Sequence, residues 1–142
     1  MRGIIITGFF LFFLLPVFSQ TDCILVTINS IRSTKGVVRY ALYNEKNEYN
    51  SHTDIFKEGL VEVHGSTVRI LIKGVPDGIY AISVLHDENN NGDLDMSAVG
   101  IPKEGFGFSN DAKVTFGPPK FESAKFVKKE ETAIRVKMRY ML

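Results

Sequence analysis

Beyond its first twenty residues the chain sets apolar and polar positions in short runs of period two, separated by Gly, Pro, Asn or Asp, and helical periodicity is hard to find. That pattern predicts strands that bury one face. Ile24, Val26 and Ile28 share a face of the first run, which ends near Ser30. After Ser33-Thr34-Lys35-Gly36, a second run from Val37 to Tyr43 sets Val38, Tyr40 and Leu42 opposite Val37, Arg39, Ala41 and Tyr43. A hairpin-like connection between the two is expected. Residues 44–57 are polar and predict a long loop with room for one turn of helix. Leu60 to Val63 and Thr67 to Lys73 flank His64-Gly65-Ser66 as a second expected hairpin, with Val68, Ile70 and Ile72 inward.

Val75-Pro76-Asp77-Gly78 is a reverse-turn signal, because proline presets its own φ and glycine accepts a positive one. The run that follows, Ile79 to Leu85, is apolar or small on both faces, which predicts a central strand covered on each side and ended by His86 and Asp87. Thr132 to Tyr140 alternates Ile134, Val136, Met138 and Tyr140 with Arg135, Lys137 and Arg139, a half-exposed strand with a basic outer face. Ala112 to Phe116 and a shorter run from Lys125 to Lys128 bring the expectation to about seven strands. The predicted fold is all-β: a single antiparallel β-sandwich, immunoglobulin-like or transthyretin-like, with long loops.

The opening MRGIIITGFFLFFLLPVFSQ has one cation at Arg2, an apolar run, Pro16, and small or aliphatic residues at Val17 and Ser19. This is the layout of a secretory signal, so residues 1–19 are expected to be a leader cleaved after Ser19, residues 20–142 the domain, and its location periplasmic or secreted. A spanning helix needs about 20 apolar residues and Pro16 interrupts this run, so no stable membrane span is expected once the leader is removed. Gln20-Thr21-Asp22 before Cys23 lacks the small and aliphatic residues that direct lipidation.

Charge and cysteine narrow the partners. The 17 basic residues include Arg2, so its loss brings them level with the 16 acidic ones, and a neutral, interspersed surface predicts no nucleic-acid partner. Cys23 is the one cysteine, so no disulfide can form within the chain and packing must hold it together. A monomer is expected.

The chemistry concentrates after the central strand. In HDENNNGDLD, Asp87, Asn89, Asn91, Asp93 and Asp95 place oxygen-bearing side chains at alternate positions, and Gly92 allows the sharp turn that gathers them. EF-hand calcium loops work on that logic, which makes calcium a candidate cofactor. The twelfth position, where such a loop carries a bidentate glutamate, is Ala98, so Glu104, water or backbone carbonyls would complete the shell. The alternative is a metal-free connection in which Asn and Asp bond their own backbone. His86 shares the parity of Tyr80, Ile82 and Val84, and is read as orienting the loop before it is read as a catalyst. Binding candidates are His86 and, in IPKEGFGFSN, Glu104, Phe106, Phe108 and Asn110, on a glycine-rich segment that can fold back over the acidic loop, with the two rings read as core plugs before they are read as a ligand platform. Ser109 lies outside a Gly-x-Ser-x-Gly elbow.

HDENNNGDLD, then VGIPKEGFGFSN, then FGPPKFESAKF together resemble the bacterial exported proteins catalogued as domain of unknown function 2141. The resemblance spans nearly all of the chain past the leader. It implies an exported β-sandwich, from a Gram-negative bacterium, with no established activity. The expected function is an exported, non-enzymatic binding or accessory domain for a protein or glycan ligand. Two alternatives stand beside it: a small periplasmic hydrolase using His86 with Asp87 or Glu104, and a structural part of an envelope assembly joined through the edge strand Thr132 to Tyr140.

Overall fold

The period-two runs become eight strands: β1 Cys23–Asn29, β2 Val37–Asn44, β3 Lys57–Glu62, β4 Thr67–Lys73, β5 Gly78–Asp87, β6 Gly105–Phe108, β7 Phe126–Lys128 and β8 Glu131–Lys137. The computed structural model describes residues 22–45, 49, 54–115 and 117–142. The leader at 1–19 lies outside these residues, as do Phe116 and half of the segment expected to have room for a helical turn. The strands lie in two sheets, ordered β4-β1-β8 and β3-β2-β5-β6, with β7 also paired to β5. This is the all-β sandwich expected, with one parallel pair: β1 and β8 run together, Val26 opposite Ile134 and Ile28 opposite Val136.

Burial follows the alternation. Ile24, Val26 and Ile28 join Val68, Ile70, Ile72 and Val136 from one sheet and Val38, Leu42, Tyr80, Ile82 and Val84 from the other in a single buried cluster. Each of these large apolar side chains contributes about 2 kcal/mol by leaving water. Packing therefore carries the domain, and Cys23 is buried and free.

Both expected hairpins are corrected. β1 pairs with β4, whereas β2 pairs with β3 and β5, so each short connection passes from one sheet to the other. The reason lies inside the connections. Ile31 and Val63 are buried in the core cluster, and Ile31 N–H donates to the Ser66 carbonyl at 3.1 Å. Both segments must arch over the end of the core to place these apolar residues, which a turn within one sheet would leave outside.

The strand expected from Ala112 is also corrected. A 3-10 turn at Ser109–Asp111, with φ of 58° at Asn110 and 47° at Asp111, takes the chain out of the sheet. Ala112 and Val114 then lie in a second apolar cluster with Ala81, Phe106, Phe108 and Ala124. That cluster covers the outer face of β5, so β5 is central in the expected sense. The pairing position beside β5 is taken by Gly105–Phe108, which the sequence presents as loop. Among the described residues, no helix is long and apolar enough to cross a membrane.

Candidate functional site

β5 ends with His86 and Asp87, and alternation sends their side chains to opposite faces of the sheet. His86 points inward and is fully buried. Its Nε2 lies 2.8 Å from the Lys35 carbonyl and its Nδ1 2.8 Å from the Tyr140 hydroxyl. A carbonyl only accepts, so Nε2 carries the hydrogen. The Tyr140 hydroxyl accepts the Arg32 N–H at 3.1 Å and shares a hydrogen bond with Nδ1. Both ring nitrogens are thereby committed to tying the β1–β2 arch and the C-terminal segment to β5.

Asp87 points to the outer face and is also fully buried. Arg39 Nε, from the neighbouring strand, donates to its Oδ2 at 2.7 Å. The N–H of Gly92 donates to the same oxygen at 2.9 Å, and that of Asn91 to Oδ1 at 3.1 Å. Burial pushes the Asp87 carboxyl up, and the bonds from Arg39, Gly92 and Asn91 outweigh it, so its pKa lies below the ordinary value.

The loop beyond is built from its own side chains. Asn89 Oδ1 accepts the Asn91 N–H at 3.0 Å and Asn91 Oδ1 accepts the Asp93 N–H at 2.9 Å, two Asx turns in series. The Asp95 carboxylate receives the amide groups of Asn89 at 2.7 Å and of Asn91 at 3.1 Å. Glu104, only 4 % exposed, closes the loop: Oε1 accepts the Glu88 N–H at 2.9 Å and Oε2 the Asp95 N–H at 3.1 Å. Asp87, Asn89, Asn91, Asp95 and Glu104 are thus brought together, whereas Asp93 joins through its backbone and its side chain is exposed. Beside them Glu88 pairs with Arg32, and the Arg32 and Ser33 bonds, working against burial, take its carboxyl down to about 2.

In kind, these carboxylate and amide oxygens are the hard donors that calcium takes. In their present arrangement they accept from backbone N–H groups, from the Asn89 and Asn91 side-chain amides and from Arg39. Among the described residues, no three His, Cys, Asp or Glu side chains gather as a metal-holding group.

Phe106 and Phe108 project from β6 to the outer face, ring centroids 6.2 Å apart. With Tyr43, Leu60, Leu85 and Leu94 they line an open groove of about 610 Å³ that also takes in Arg39, Glu58 and Gly92. The groove therefore runs alongside the acidic loop. Asn110 stands apart, its side-chain amide donating to the Lys125 carbonyl. The Ser109 hydroxyl is consumed by the Ile82 N–H at 3.0 Å and by the Ala124 carbonyl.

Three side chains that build this end of the molecule, Arg32, Arg39 and Tyr140, were not legible as site residues. Arg39 had a usable signal, since its parity on the second strand placed it on the outer face. The register that sets it beside Asp87 is long-range and has no local signature.

A family model described as an uncharacterized protein conserved in bacteria, domain of unknown function 2141, matches residues 26–135. No curated protein and no solved structure matches the chain.

Proposed function

Because the chain belongs to this bacterial family, whose description assigns no activity, we propose from the geometry that it is an exported, non-enzymatic binding or accessory domain. The observation that carries this reading is the groove of about 610 Å³ beside the acidic loop. Its volume is in the range of roughly 300–1,000 Å³ typical of ligand sites, and its lining is mostly aromatic and aliphatic. The groups a hydrolase would need support the same reading. Both nitrogens of His86, both oxygens of Asp87 and both oxygens of Glu104 hold structure, and His86 and Asp87 face opposite ways. The ligand is a protein or a glycan. Binding profiles on glycan and peptide arrays, compared between the native protein and a Leu60→Glu, Leu94→Glu variant, test the groove. The variant is expected to lose the retained ligands, and identical profiles would count against this surface. Export predicts a mature N-terminus at Gln20, read by N-terminal sequencing of the protein recovered from its native compartment.

A second reading of the same surface is that calcium organises the loop. It is favoured by unbalanced charge: Asp87 and Glu88 each face an arginine, while Asp93, Asp95 and the buried Glu104 have no ion pair among the described residues. Asp87, Asn89, Asn91, Asp93 and Asp95, completed by Glu104, would supply its oxygens, and the ion would neutralise the loop and cross-link it. Calorimetric titration with calcium is expected to give a saturable heat that Asp95→Asn diminishes. An absence of heat at millimolar calcium removes the metal and leaves the binding reading intact.

A further inference from the structure

The other sheet carries a second surface. Its outer face is formed by the exposed or half-exposed positions of β4, β1 and β8, and the pairing register lays them out in rows. Arg69 and Arg135 both stand opposite Thr27, one on each side. Thr67 and Lys137 flank Asn29 in the same way, Leu71 and Ala133 flank Leu25, and Lys73 and Glu131 flank the buried Cys23. Four cations thus share one face with one anion. Arg69 and Arg135 are separated by two strand spacings, roughly 10 Å.

Grouping on one face sets these cations apart, since Lys35, Lys103, Lys113, Lys120 and Lys129 also form no ion pair among the described residues, while other cations are engaged by the fold. Arg32, Arg39, Lys125 and Lys128 are held in ion pairs, and Arg139 donates to the carbonyls of Asp111 and Ala112. Arg69, Lys73, Arg135 and Lys137 form no ion pair among the described residues and are exposed. In a chain whose net charge is near zero, an unpaired group of one sign on one sheet face is a local attractor for the opposite sign.

We propose that the outer face of the three-stranded sheet is a docking surface for a linear acidic polysaccharide, a polymer of sugar acids. Charge complementarity supplies the attraction, and the groups between the cations supply the class. Thr27 lies between the two arginines and can bond a sugar hydroxyl. Asn29 uses its Oδ1 to accept from Thr67 at 3.3 Å, which leaves its amide hydrogens to face outward. The Leu71, Leu25 and Ala133 row beside the arginines offers an apolar strip on which the C–H face of a sugar ring can pack. Guanidinium groups bind carboxylates in two-pronged fashion, and their spacing suits charges that recur along a chain. A single-stranded nucleic acid would want aromatic stacking platforms, and the described residues of this face offer none. A bilayer would want a broad apolar insertion face, and this one has a single row.

The test is binding of the purified protein to polygalacturonate and to the same polymer methyl-esterified, which keeps the backbone and removes the charge. Binding to the acid form is expected to weaken with added salt, to be lost on esterification, and to fall at least tenfold in an Arg69→Gln, Arg135→Gln variant. A Lys113→Gln, Lys120→Gln variant, with cations removed elsewhere, is expected to bind as the native protein does. Thermal melts of both variants establish that they are folded. No binding, equal binding to the esterified polymer, or equal loss in the two variants would overturn the proposal. Equally tight binding to single-stranded DNA or to vesicles of anionic lipid would overturn it too, since the face would then be a general polyanion attractor. Cations that serve only to keep the two edge strands from pairing with other chains would leave every one of these measurements flat.

Discussion

Glu104 accepts the backbone N–H of Glu88 at 2.9 Å across sixteen residues of chain, and its other oxygen takes the N–H of Asp95. One buried carboxylate therefore clamps both ends of the acidic loop. Glu104→Ala removes both acceptors and leaves two partly buried N–H groups unsatisfied, which is expected to cost about 2–3 kcal/mol. Glu104→Gln keeps one carbonyl oxygen for two donors and should fall between. Urea unfolding midpoints measure the loss, and faster hydrogen exchange at the Glu88 and Asp95 amides would locate it in the clamp.

Gly36 sits under the same end of the molecule with φ at +64°, and a Cβ there would lie 1.9 Å from the Asp87 carbonyl oxygen. Backbone blocks the space, so no rotamer change relieves it. Gly36→Ala is expected to destabilise by at least about 3 kcal/mol, combining left-handed strain with the clash. Gly65, where nothing lies within 4 Å of the added atom, is the control: Gly65→Ala should stay within about 0.5 kcal/mol. Thermal melts distinguish the two, since 1 kcal/mol shifts the midpoint of a domain of this size by about 4 °C.

What the sequence made legible follows from which residues face inward. β4 shows its face openly, Val68, Ile70 and Ile72 buried between exposed Thr67, Arg69, Leu71 and Lys73. β6 hides it, because its inward positions are glycines. A Cβ at Gly105 would lie 2.4 Å from the Tyr140 ring and one at Gly107 2.7 Å from Val136, so the core needs an absence of side chain where alternation looks for a hydrophobe. The same holds for the turns: Ser33 to Gly36 and His64 to Ser66 read as hairpins, and only apolar Ile31 and Val63 hinted that these segments cap the core. In the acidic loop the spacing of Asp87, Asn89, Asn91 and Asp95 was legible, as was the chance that Glu104 would join them. The Arg39 partner was not, because strand register brings it there.

Lys128 is fully buried, its ammonium donating to Asp77 at 3.0 Å and to Asp22 at 3.2 Å. Burial lowers its pKa, and the two aspartates more than restore it, holding it above the ordinary lysine value. Removing one partner of a buried pair costs about 3–5 kcal/mol when the other charge is stranded. Here both aspartate side chains are about half exposed and can rehydrate, so Lys128→Ala is expected to cost about 2 kcal/mol. Lys128→Met, which keeps the stem, should recover part of that in chemical denaturation. A full recovery would mean that packing, and not the charge, is what the site needs.

The Arg32 and Glu88 pair sets an acid limit. Glu88 ionises at about 2 in the folded chain, against 4.5 for the ordinary side chain, chiefly because Arg32 bonds its charged form. A carboxyl whose pKa is depressed by folding stabilises the fold fully above its unfolded value, and that contribution is lost as pH falls through the interval between the two. The pair is partly exposed, so at neutral pH it contributes about 1 kcal/mol. Urea midpoints of the native protein and of Glu88→Gln should therefore differ at pH 6, converge as pH drops from about 4.5, and nearly coincide at pH 2. Asp87 and Asp77 are depressed in the same direction, so both proteins should weaken in acid; it is the narrowing gap that isolates Glu88. A gap that stays constant down to pH 2 would assign the difference to the Ser33 hydroxyl bond or to packing, and not to the ionised pair.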